Sequence, residues 1–139
     1  MCLVILVKIP PRLVSDVSEF TEKGTTSTLA LNLHGTTGFF NSGDLVFSIC
    51  ELGEGCACSM LSDDADWNHP FWDFRPEVLK DLASLLTRIG ESVIEELSVE
   101  ALWAGDESRE SIYLSLPQLE QLVLKNQIGT KTQYRVLAS

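Results

Sequence analysis

The stretch from Pro76 to Trp103 reads PEVLKDLASLLTRIGESVIEELSVEALW, and the change of hydrophobic period within it decides the fold class. In its first part Val78, Leu82, Leu85, Leu86, Ile89 and Val93 fall on one helical face, with Lys80, Asp81, Ser84, Thr87 and Arg88 opposite. Pro76 and Glu77 suit a first helical turn, where a missing N–H is harmless and a negative charge meets the dipole. Asp73 stands ahead of them as an N-cap, and Gly90 ends or weakens the helix. The second part switches to period two. Leu97, Val99, Ala101 and Trp103 alternate with Ser98, Glu100 and Leu102, as in a strand.

Downstream, Gly105 to Ser108 carries turn chemistry, and Ile112, Tyr113 and Leu114 form the return strand of a hairpin. Ser115 with Gln118 makes a capping box, with Pro117 in the first turn of a short helix that buries Leu116, Leu119, Leu122 and Val123. Asn126 to Gly129 stops that helix. Thr130, Thr132, Tyr134 and Val136 then form the buried face of a last strand, with Lys131, Gln133 and Arg135 on the other. Upstream, Cys2 to Ile9 is a buried strand closed by Pro10 and Pro11, and Leu13 to Phe20 reads as a helical turn. Thr25 to Leu33 is a strand presenting Leu29, Leu31 and Leu33, Gly35 to Gly43 is loop, and Leu45 to Cys50 is strand. One long and one short helix without regular βαβ alternation predict a single α+β domain over residues 1–139, its sheet mixed or largely antiparallel.

The chain is long enough to bury a core, and 45% hydrophobic with 22% charged residues is globular composition. A net charge of -10 repels phosphate backbones and anionic lipid, so neither nucleic acid nor a membrane is an expected partner. A basic protein, a cation or a second copy of the chain is. The run MCLVILVKIPP has no basic segment before its apolar residues and carries Lys8 within them, so it reads as a strand rather than a signal peptide. Cys2 stands too near the first residue for lipid attachment. A cytoplasmic location follows as the expectation, with Cys2, Cys50, Cys56 and Cys58 reduced.

The candidate site is Gly55 to Phe74, GCACSMLSDDADWNHPFWDF. Cys56 and Cys58 offer a thiolate pair to a divalent metal such as zinc, with His69 as a further ligand. Cys50 or Cys2 completes the set only if the fold brings it close. The spacing is tighter than the usual Cys-x-x-Cys, and a small strained disulfide is the redox alternative, although Glu51 and Glu54 disfavour a reactive thiolate. No lysine or arginine lies between Gly24 and Phe74, while Asp63, Asp64 and Asp66 crowd together. They lack the glycine and the terminal glutamate of a calcium loop, so a solvated acidic surface is the reading.

Trp67, Phe71, Trp72 and Phe74 concentrate aromatics beside those acids, either as a recognition surface or as a plug at the helix start. The leading expectation is therefore a non-catalytic binding or regulatory module recognising a protein partner through Asp63, Asp64, Asp66, Trp67, His69 and Trp72. A metal- or thiol-dependent enzyme using Cys56, Cys58 and His69 is the alternative.

Overall fold

The computed structural model describes residues 2–9, 28–37, 44–63, 69–92, 96–103 and 106–137. Strand β1 (Leu3–Ile9) buries every second side chain, Leu3, Ile5, Val7 and Ile9, at no more than 2% exposure, and leaves Val4, Leu6 and Lys8 half-buried. An alternating strand that apolar needs neighbours on both edges, and it has them. β3 (Asp44–Glu51) and β4 (Glu96–Trp103) both pair with it antiparallel, placing Val7 opposite Phe47 on one side and Val99 on the other. β2 (Leu29–Thr37) adds outside β3, and β6 (Thr132–Leu137) outside β4. β5 (Glu110–Leu114) closes the row, giving one six-stranded sheet of order β2-β3-β1-β4-β6-β5.

Helix α1 (Pro76–Ser92) buries Val78, Leu82, Ala83, Leu85, Leu86 and Ile89. The period read from sequence supplied that face, apart from Val93, which lies outside the described residues. α1 runs through Gly90, where an added Cβ would meet Leu116 Cδ1 at 2.5 Å, so the glycine belongs to a close approach between helices. α2 (Leu116–Leu124) opens with the expected capping box: Ser115 N–H donates to Gln118 Oε1 at 2.8 Å and Gln118 N–H to Ser115 Oγ at 3.3 Å. Both helices join one apolar cluster with β1, Phe47, Ile49, Leu97, Val99, Tyr134 and Val136. The architecture is a single α+β domain with a mostly antiparallel mixed sheet. Among the described residues no helix is long and apolar enough to cross a membrane.

Several expectations are corrected. The hairpin between β4 and β5 does not form, because β6 lies between them and β5 pairs with β6 in parallel. A period-two pattern gives a strand its faces but no partner; here α2 carries the chain over so that β5 and β6 run the same way. β6 is thus an interior strand. Arg135 Nε donates to Glu96 Oε1 at 2.6 Å with its guanidinium 5.0 Å from the Tyr113 ring centre, and Lys131 lies in the turn before the strand.

Gly35 to Thr37 is strand rather than loop, paired with Val46 to Asp44 after a register shift between Leu33 and Gly35. Asp73 does not cap α1, since its carbonyl accepts from Ser62 N–H at 2.8 Å and its carboxylate from Asn126 Nδ2 at 3.3 Å. The helical turn expected at Leu13 to Phe20 lies outside the described residues.

Candidate functional site

β1 delivers Cys2 to the end of the sheet where the chain leaves β3 and folds back. After β3, Ala57 takes the place of a short paired segment against β1: its N–H donates to Leu3 O at 2.9 Å, and Leu3 N–H donates to Cys58 Sγ at 3.1 Å. Ala57 is completely buried, so the backbone approaches β1 closely and the flanking residues, Cys56 and Cys58, stay half-exposed beside Cys2. The three sulfur atoms all lie within 4.8 Å of one another. Tetrahedral zinc with bonds of about 2.3 Å sets its sulfurs about 3.8 Å apart, a spacing within the 4.8 Å that bounds these three.

The cluster is electrostatically uneven. The backbone N–H of Cys58, then its thiol and that of Cys2, stabilise a negative sulfur on Cys56 and hold it below the ordinary thiol value, against partial burial and the charge of Glu54. Cys2, donating to Cys56, is pushed up. Cys50 stands apart. It is buried, its thiol donates to Glu54 O at 3.1 Å and receives Asn32 Nδ2 at 3.4 Å, and burial raises its pKa. Of the two cysteines that sequence left open as completing a set, the fold brings in Cys2.

His69 does not join Cys56 and Cys58: among the described residues the converging ligand group is Cys2, Cys56 and Cys58. The exposed His69 ring turns back on its own loop, Nδ1 accepting from Phe71 N–H at 3.1 Å with the rings 5.8 Å apart.

The aromatic run divides. Trp72 is 5% exposed, its indole N–H donates to Ala101 O at 2.8 Å, and it meets the Trp103 ring edge-on at 5.1 Å. Phe74 is 1% exposed, its N–H and carbonyl both bonded to the Asn126 amide. The segment is laced in on both sides, by Trp72 N–H to Ile128 O at 2.8 Å and by Arg75 N–H to Met60 O at 2.8 Å. Trp72 is therefore packed into the core rather than set out on the surface. Phe71, 38% exposed, faces solvent beside His69, and Asp63 is exposed as well. Asp64, Asp66 and Trp67 lie outside the described residues.

Glu51, part of the acidic run, is neutralised from just beyond it by Arg75 Nη2 at 2.7 Å. Sequence reasoning passed over a second constellation, Lys8 with Glu100, joined at 2.9 Å. The signal was present as one ionisable residue inside each strand, Lys8 within β1 and Glu100 within β4. No family model, curated protein or solved structure matches the chain.

Proposed function

We propose that the chain is a non-catalytic binding module whose ligand is a soft divalent metal ion such as zinc, held by the thiolates of Cys2, Cys56 and Cys58. The observation that carries this is the convergence of three sulfurs from sequence-distant segments within 4.8 Å of one another. Thiolates select soft and borderline cations over magnesium or calcium. Three protein ligands leave a coordination position for water or for a ligand from a partner. The lowered Cys56 supplies the first thiolate, and binding the cation releases the protons of the other two. Bound metal would join the start of β1 to the loop after β3, fixing the base from which His69 and Phe71 project.

Elemental analysis of protein purified without chelator or affinity tag tests the reading, together with titration by cadmium, whose thiolate complexes absorb in the ultraviolet. One metal per chain is expected, with the thiolate band lost in Cys56→Ser and Cys58→Ser. Affinity should fall by more than about a hundredfold, beyond what an outer-shell partner is worth. Cys50→Ser and His69→Ala should bind like the wild type. Protein that carries no stoichiometric metal and develops no thiolate band with cadmium rules the site out.

A further inference from the structure

On the sheet face away from the helices, a cleft of about 520 Å³ opens between β1, β4, the 106–111 segment and Gln133. It falls within the roughly 300–1,000 Å³ range of small-molecule sites. Leu6 and Leu102 give it apolar walls, and Glu100, 4% exposed, lies at its floor. The Glu100 carboxylate receives Lys8 Nζ at 2.9 Å, Ser108 Oγ at 2.7 Å and Gln133 Nε2 at 3.5 Å, while Ser111 Oγ donates to Gln133 Oε1 at 3.1 Å. Lys8, Ser108 and Gln133 donate to Glu100 and Ser111 donates to Gln133, which leaves the hydroxyl oxygens of Ser108 and Ser111 as acceptors.

A buried ion pair is not a device a fold needs, since well-packed apolar residues often serve stability as well or better. Beside it Ser98, opposite Lys8 in the β1–β4 register, is completely buried, and among the described residues its hydroxyl has no partner. An ion pair kept at this expense and lining an open cleft, with Ser108, Ser111 and Gln133 around it, is the arrangement of a binding site rather than of a core.

We propose that this cleft binds a small organic cation, a primary ammonium on an aliphatic stem. The sign of charge follows from the lining. Glu100 and Lys8 cancel, and at the mouth Asp106, Glu107 and Glu110 outnumber Arg109. A chain of net charge -10 also repels anions at long range. The stem follows from Leu6 and Leu102. A bare inorganic cation finds no cage there, because among the described residues no three carboxylates converge. The site is independent of the thiol cluster: Lys8 and Cys2 are six residues apart along an extended strand, about 20 Å.

The test is a titration with n-butylamine followed by the methyl resonances of Leu6 and Leu102, with n-butanol and butyrate as comparisons. Saturable shifts are expected for the amine, with at least about tenfold weaker responses to the alcohol and the acid. The exposed Glu107→Gln, Glu110→Gln double variant, which leaves the core alone, should weaken amine binding about tenfold, as two partly screened charge contacts imply. Ser111→Trp, on an exposed edge position, should fill the cleft and abolish it. Absence of saturable amine shifts overturns the proposal. So does equal binding of butanol or butyrate, or amine binding that survives Ser111→Trp.

Discussion

Cys50 and Cys56 sit six residues apart and ionise in opposite senses, because one is packed inside and the other receives hydrogen bonds at its sulfur. Alkylation attacks the thiolate, so a lowered pKa moves its onset to lower pH and a raised one to higher pH. In metal-free protein, iodoacetamide should modify Cys56 first, with a rate profile inflecting below 9.0, while Cys50 should resist until above 9.0. Peptide mapping across pH 6 to 10 checks the order, and Cys50 reacting ahead of Cys56 would contradict it. Trp72 makes a sharper structural claim. Trp72→Phe removes the indole N–H from Ala101 O and leaves both an unpaired buried carbonyl and a small void. A loss of about 2–3 kcal/mol in urea unfolding is expected. A change under about 0.5 kcal/mol would mean that the side chain is no core plug.

The two helices were legible as elements because a 3.6-residue stripe and a capping box are local signals, complete within a few turns. What Gly90 does was not legible: its reason is Leu116, twenty-six residues away on the other helix. Gly90→Val adds little helix propensity and drives branched carbons into Leu116, so overpacking dominates and about 2 kcal/mol should be lost. Ser115→Ala, which deletes only the cap acceptor for Gln118 N–H, should cost about 1 kcal/mol. Chemical denaturation of the two variants compares a tertiary contact with a local one. A Gly90→Val protein as stable as the wild type would show that the helices part freely. The strands stand between these cases. Alternation gave β4 and β6 their faces, but the partner of β5 was hidden, since parallel pairing through α2 depends on a crossover and not on any residue of β5. For the same reason the candidate site was half visible: Cys56 and Cys58 announce themselves by spacing, whereas Cys2 joins them through the pairing of Ala57 with Leu3.

At the scale of the whole molecule, the earliest strand among the described residues is one of the two at the centre of the sheet. β1 lies between β3 and β4, whose pairing residues reach Trp103, opposite Leu3. Contacts that distant in sequence form only when the domain as a whole has folded, so β1 reports on global rather than local structure. The proposed metal site is fastened to the first residue of that strand, through Leu3 N–H and carbonyl on one side and Cys2 on the other. A cation bound there recognises the complete sheet, because in the unfolded chain Cys2 is a remote, loosely tethered thiol. Mass action then makes metal a global stabiliser. At a free concentration one hundred times its dissociation constant it contributes about 2.7 kcal/mol. At roughly 4 °C per kcal/mol for a domain of this size, the unfolding midpoint should rise by about 10 °C. Calorimetry with buffered free zinc should show that rise in the wild type and its reversal by chelator. In Cys2→Ser the shift should shrink to a small fraction, because two adjacent thiols bind the unfolded chain nearly as well as the folded one. A shift undiminished in Cys2→Ser would place the metal elsewhere and detach the site from the central strand.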